Sequence, residues 1–136
     1  MRRFCLVMLV LGIAACAGIK GPTSHPSHTR KTLLVLYQKK GSNDCRIKGA
    51  SEIRGYDKDR FEWEVANYCD ADHTVEVRFK TTVPGSDRRL TATVPAAGPD
   101  ATVYLVADRE GSFPYSLVVD TTPQVDPRLE IDPYSK

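Results

Sequence analysis

Apolar and polar residues alternate one for one along much of this chain, a period that suits strands and excludes helices. Phe61, Trp63 and Val65 are separated by Glu62 and Glu64, and Val75, Val77 and Phe79 by Glu76 and Arg78. Successive side chains of a strand point to opposite faces, so the apolar set turns inward and the charged set outward. No segment carries the wider stripe of an amphipathic helix. Further strands are expected at Thr32 to Gln38, Cys45 to Lys48, Leu90 to Val94, Thr102 to Ala107 and Phe113 to Asp120. A more ambiguous piece lies around Ile53, and a possible last one at Leu129 to Ile131. Gly and Pro fall between these runs, as in Pro84-Gly85 and Asp108-Arg109-Glu110-Gly111, apart from Pro114, which suits an edge or the first residues of a strand. About seven or eight short strands with turns between them predict an all-β, two-sheet Greek-key sandwich. Leu33 to Leu36 are all apolar, so both faces of that strand are expected to be covered. The expected core is Leu33, Val35, Trp63, Val65, Val75, Val77, Phe79, Leu105, Tyr115, Leu117 and Val119.

The first 31 residues are organised differently. Met1-Arg2-Arg3 is basic and Phe4 to Ala15 is apolar, too short to span a bilayer and laid out like a secretion signal. Ile13-Ala14-Ala15-Cys16 resembles a bacterial lipobox, which implies cleavage after residue 15 and acylation of Cys16. The rival is ordinary cleavage after Ala15-Cys16-Ala17 and a soluble secreted or periplasmic product. An acylated Cys16 would anchor the chain through more than one acyl chain, and Ala17 after it favours the outer membrane, the chain facing the periplasm. Residues 16–31 are rich in Gly, Pro, Ser, Thr and His and read as a flexible tether, with residues 32–136 as one domain. His25 and His28 on that tether have no third ligand nearby, so no metal site is expected there.

The charge balance points to no particular partner. The 136 residues carry 19 Lys and Arg against 17 Asp and Glu, and Arg2 and Arg3 leave with the signal. An evenly balanced chain without a basic stripe gives no support to nucleic-acid binding. Of the four cysteines, Cys5 and Cys16 belong to the signal or the anchor. Cys45 and Cys69 remain in an exported chain, where a structural disulfide is expected. It would stabilise by about 3 kcal/mol in the chain-entropy view. The competing reading, two thiols on a metal, lacks a C-x-x-C spacing.

Phe61-Glu62-Trp63-Glu64-Val65-Ala66-Asn67, then His73, then Gly111-Ser112-Phe113-Pro114-Tyr115-Ser116-Leu117 together resemble the cupredoxin family. There a W-x-V-x-N strand precedes a ligand histidine, and G-x-[YF]-x-[YF]-x-C supplies a ligand cysteine. The resemblance covers about Asp44 to Asp120 and implies a cupredoxin-like sandwich, with His73 at the first ligand position and Leu117 at that of the thiolate. An immunoglobulin-type sandwich fits less well, because Trp63 lies before the second cysteine and the pair is only 24 residues apart. Type 1 copper needs two His, a thiolate and usually a Met. Both methionines, Met1 and Met8, leave with the signal. No cofactor is therefore expected, and His73 is expected to be structural, bonding Asn67 or a backbone group.

Other chemistry has little purchase. Asp57-x-Asp59 and Asp70-x-Asp72 invite calcium or paired-carboxylate catalysis, yet neither has the D-x-D-x-[DN]-G loop, and turn aspartates commonly bond their own backbone. There is no G-x-S-x-G and no free thiol for a nucleophile. The reading is a non-enzymatic, lipid-anchored or secreted envelope protein, a copper-free binding or structural module that meets an unidentified envelope component. The alternative is a metal-handling protein for copper or another divalent ion that uses His73.

Overall fold

The computed structural model describes residues 26–81, 83–85 and 87–134. The expected signal segment, Cys16, Ala17 and His25 lie outside them. Ten strands run in chain order: β1 (Thr29–Gln38), β2 (Cys45–Lys48), β3 (Glu52–Tyr56), β4 (Arg60–Tyr68), β5 (His73–Phe79), β6 (Arg89–Val94), β7 (Ala101–Val106), β8 (Gly111–Val119), β9 (Thr122–Val125) and β10 (Arg128–Asp132). One sheet has the order β2-β1-β4-β7; the other runs β3-β10-β8-β5-β6, with β9 also paired to β8. β7 returns beside β4, and β8 beside β5, which are the crossed connections of a Greek key. The expected all-β, two-sheet sandwich is therefore formed, with two more strands than the upper expectation. β9 was not foreseen, and the ambiguous piece around Ile53 is β3.

Two pairings are parallel. β1 runs beside β4 from Thr29↔Arg60 to Tyr37↔Tyr68, and β3 beside β10. Between β1 and β4 the chain makes β2 on the first sheet and β3 on the second, so the parallel return is achieved with strands alone. β1 begins three residues before the expected Thr32, and its start is fastened by a buried carboxylate. Asp59, fully buried in the β3–β4 turn, accepts hydrogen bonds from the His28 N–H (2.9 Å), the Arg30 Nε–H (2.9 Å) and the Tyr56 N–H (3.0 Å). This accounts for Asp59 as a structural clasp, and its neighbour Asp57 pairs with Lys58 at 3.5 Å.

The core lies between the sheets and is centred on three aromatic rings. Trp63 and Tyr115 meet edge to face at 5.7 Å, Phe79 lies 5.7 Å from Tyr115, and the Trp63 Nε1–H donates to the Tyr115 hydroxyl at 3.1 Å. Burial pushes the Tyr115 hydroxyl up to about 12, with the Trp63 N–H acting in the other direction. The expected β1 contribution is corrected by one residue. Leu34 and Leu36 are buried in the core, whereas Leu33 is 56% exposed and Val35 only half-buried. The register places Leu34 beside Val65, both turned inward, which fixes the phase that four consecutive apolar residues left open. One face of the four-stranded sheet is thus uncovered by the described residues.

Candidate functional site at the His73 end of the sandwich

The turn between β4 and β5 is built by Asn67, Cys69 and Asp72. Asn67 Oδ1 accepts from the Cys69 N–H, and its Nδ2 donates to the carbonyls of Ala71 and Val94, all at 2.9 Å. Asp72 accepts from the Ala96 N–H at 2.9 Å. These bonds use Asn67 and Asp72 to hold backbone. Cys69 at the start of this turn is joined to Cys45 at the start of β2, with Cα atoms 6.0 Å apart. The bridge ties the short edge strand β2 to the end of β4, both in one sheet. The expected disulfide is present, and its placement differs from the inter-sheet bridge of an immunoglobulin domain.

His73 opens β5 beside this bridge. Its Nδ1 lies 2.5 Å from Oδ2 of Asp120, whose other oxygen accepts from the Thr74 N–H at 2.8 Å. The expectation that His73 bonds Asn67 is therefore corrected: its partner is Asp120, 47 residues later. Burial works against the charge on Asp120, but the Thr74 N–H and the His73 ring together hold its carboxyl below the usual carboxylate range. Asp120 and Thr121 have φ of 50° and 95° and form the two-residue turn from β8 into β9. Positive φ at both positions is the geometry of a type I′ hairpin, which ordinarily takes Asn-Gly or Asp-Gly. A β-branched residue at φ 95° is strained there.

Sequence spacing places Leu117 at the thiolate position, but strand register separates it from His73. β5 and β8 pair Val75 with Val119 and Val77 with Leu117, so Leu117 sits four residues along β5 from His73, fully buried in the core. At the level of His73 stand Asp120 and the Cys45–Cys69 bridge. The sulfurs and a ring nitrogen of His73 lie within 4.8 Å of one another. An open cleft of about 540 Å³ runs past them, lined by Asp44, Cys45, Arg46, His73 and Asp120 together with the first residues of β9. A type 1 copper set would need a thiolate and a second imidazole here. Among the described residues the end of the sandwich offers one histidine, a carboxylate and an oxidised sulfur pair, which do not fit that ion.

No protein family matches the chain, and no curated relative does. Solved structures with which it can be superposed include three copper oxidases. They include a blue copper oxidase from Nitrosomonas europaea (16% identity, TM-score 0.44, 81% of this chain and 47% of that one) and a multicopper oxidase (11% identity, TM-score 0.47, 77% and 44%). A third is a multi-copper oxidase from Pseudomonas thermotolerans (13% identity, TM-score 0.43, 83% and 31%). The chain spans less than half the length of each of them. Superposition this loose carries no chemistry across. The sheets make the chain an all-β, two-sheet sandwich, and what it can do rests on its own residues.

Proposed function

We propose that this chain is a non-catalytic binding module of the bacterial envelope, anchored through acyl chains on Cys16 to the outer membrane, facing the periplasm and carrying no type 1 copper. The observation behind the binding role is the outer face of the four-stranded sheet, which no described residue covers. Leu33, Tyr37, Tyr68, Tyr104 and Val106, five of the eight exposed large apolar or aromatic side chains, belong to β1, β4 and β7 and alternate with the buried residues of those strands. Charged groups rim them: the Arg60 guanidinium stacks 3.5 Å above the Tyr104 ring, and its Nε–H donates to Glu62 at 2.6 Å. Exposed aromatics framed by ion pairs are the composition of a protein-binding surface. Against an enzyme stands the site itself, since the His73–Asp120 pair adjoins a disulfide in place of a nucleophilic thiolate or hydroxyl.

A photo-crosslinking side chain placed at Tyr104 in intact envelopes tests this. It should trap one reproducible envelope protein, and a probe at Arg78 on the other sheet should not. Equal or absent adducts from both positions would remove the sheet face as a binding surface. The anchor has a separate test, fatty-acid labelling with Cys16→Ser as control; label that persists in the variant would refute it. The second reading, metal handling through His73, is favoured by the proximity of His73 to the two sulfurs.

A further inference from the structure

We infer that Cys45, Cys69 and His73 form a redox-gated site for one thiophilic d10 cation, closed while the disulfide is intact and opened by its reduction. The site is independent of the sheet face proposed above. Its donors come from three places the fold has already fixed: the first residue of β2, the turn after β4 and the first residue of β5. Their donor atoms lie within 4.8 Å of one another in the oxidised form. Two sulfurs bound to one ion at about 2.3 Å each need to separate to only about 4 Å, a movement within reach of side-chain rotation about fixed Cα atoms.

Asp120 completes the arrangement. Its bond to Nδ1 places the proton of a neutral His73 ring on that nitrogen and leaves the Nε2 lone pair for a metal. A carboxylate behind a ligating imidazole is the usual outer support of metal-bound histidine. Thr74 and the β8–β9 turn in turn hold Asp120, so the ring is oriented before any ion arrives. Two thiolates and an imidazole suit Cu⁺ in three-coordination, or Zn²⁺ with a water as fourth ligand.

Access favours one sulfur. Cys45 lines the open cleft, whereas Cys69 does not. A dithiol reductant would therefore attack the Cys45 sulfur, forming a mixed disulfide and releasing the Cys69 thiolate. Its second thiol then displaces Cys45 as a thiolate, so the reductant becomes a cyclic disulfide and two electrons pass to the protein. Metal binding takes both cysteines as thiolates and releases whatever protons they carry.

The test uses the full chain purified in detergent, titrated with Zn²⁺, and separately with Cu⁺, against a chromogenic chelator. Each titration is run on the oxidised protein and after treatment with a phosphine reductant. One equivalent should bind tightly only after reduction. Asp120→Asn should weaken that site about 10- to 100-fold, and His73→Ala or the double variant Cys45→Ser with Cys69→Ser should abolish it. The double variant keeps Cys5 and Cys16, so any binding that survives in it is theirs and is subtracted. Circular dichroism monitors the fold throughout. If reduction alone unfolds the chain, the ion should restore the β-sheet signal, because binding free energy then becomes folding free energy. Absence of tight binding to the reduced chain, failure of the ion to refold it, or binding indifferent to His73→Ala would each overturn the proposal.

Discussion

Asp59 gives the sharpest test of how this sandwich is fastened. Replacing it with Asn or Ala removes a charged acceptor from two backbone N–H groups, those of His28 and Tyr56, and from the Arg30 side chain. Hydrogen bonds to a charged group contribute about 1.5–3 kcal/mol each. Both N–H groups belong to residues near solvent that water can partly satisfy once the chain loosens, so the lower figure applies to each. Arg30 is 36% exposed and adds less than about 1 kcal/mol after screening. The expected loss for Asp59→Ala is about 3–4 kcal/mol, against a total of about 5–15 kcal/mol for a domain of this kind. Guanidinium unfolding followed by Trp63 fluorescence should show the midpoint falling by about 1 M with the slope unchanged. Asp57→Ala, which removes a carboxylate that makes no hydrogen bond through Oδ1 and only a 3.5 Å ion pair with Lys58, should stay within about 0.5 kcal/mol.

The pH dependence checks the same reasoning by a second route. Burial disfavours the Asp59 charge, but the His28 N–H, Arg30 and the Tyr56 N–H outweigh it and hold the carboxyl below the usual carboxylate range. A depressed folded value means that the unfolded chain takes up the proton first, at about pH 4. The stabilisation is therefore complete above that pH and disappears as pH falls through the folded value. The stability gap between the wild type and Asp59→Asn should be widest at neutral pH and should narrow steadily below pH about 4. A gap under about 1 kcal/mol at neutral pH, or one that does not narrow in acid, would refute the clasp.

Three further outcomes follow from the same packing. Tyr115→Phe leaves the buried Trp63 N–H without its acceptor and should cost about 1–3 kcal/mol in denaturant unfolding. In an alkaline ultraviolet titration it should also remove a tyrosine step at about 12; because the folded value is raised, wild-type stability should decline as pH rises from about 10 towards that step. Thr121→Gly relieves a β-branched residue at φ 95° and should raise stability by about 1 kcal/mol, or the melting temperature by about 4 °C, with an unchanged or lower value counting against a strained turn. Leu33→Ser should move stability by no more than about 0.5 kcal/mol, whereas Leu34→Ser should cost about 3–5 kcal/mol, and equal losses would mean that β1 sits in the other phase.

What the sequence reveals of the fold depends on how much each strand says about its own faces. β4, β5 and β8 carry aromatics alternating with charges or small polar residues, and their inward faces are read correctly. β1 has four apolar residues in a row, so its phase is set only by pairing with β4, a contact remote in sequence. β3 is obscured for a different reason. Gly55 reads as a turn signal, yet a Cβ there would come within 2.5 Å of the Phe61 ring, so the glycine makes room for a core aromatic inside a strand. β9 is hidden because its turn, Asp120-Thr121, lacks the glycine that announces a tight hairpin.

The candidate site was half legible for a related reason. Cys45, Cys69 and His73 announce themselves by residue type, and the disulfide is expected from the cysteine count and an exported reading of the N-terminus. Asp120 does not, because an aspartate at a strand end reads as ordinary turn chemistry until the second sheet brings it to His73. A motif counted along the chain pointed to Leu117, but what faces His73 is decided by hydrogen-bond register between β5 and β8. The difference between two aspartates then separates structure from chemistry. Asp59 is sealed in and both its oxygens accept bonds that fasten backbone and Arg30. Asp120 lines an open cleft, and one of its oxygens orients an imidazole beside two sulfurs. A carboxylate that holds only structure gains nothing from facing solvent, whereas one that positions a ligand requires it. The open cleft makes the His73 end the place to look for chemistry in this sandwich.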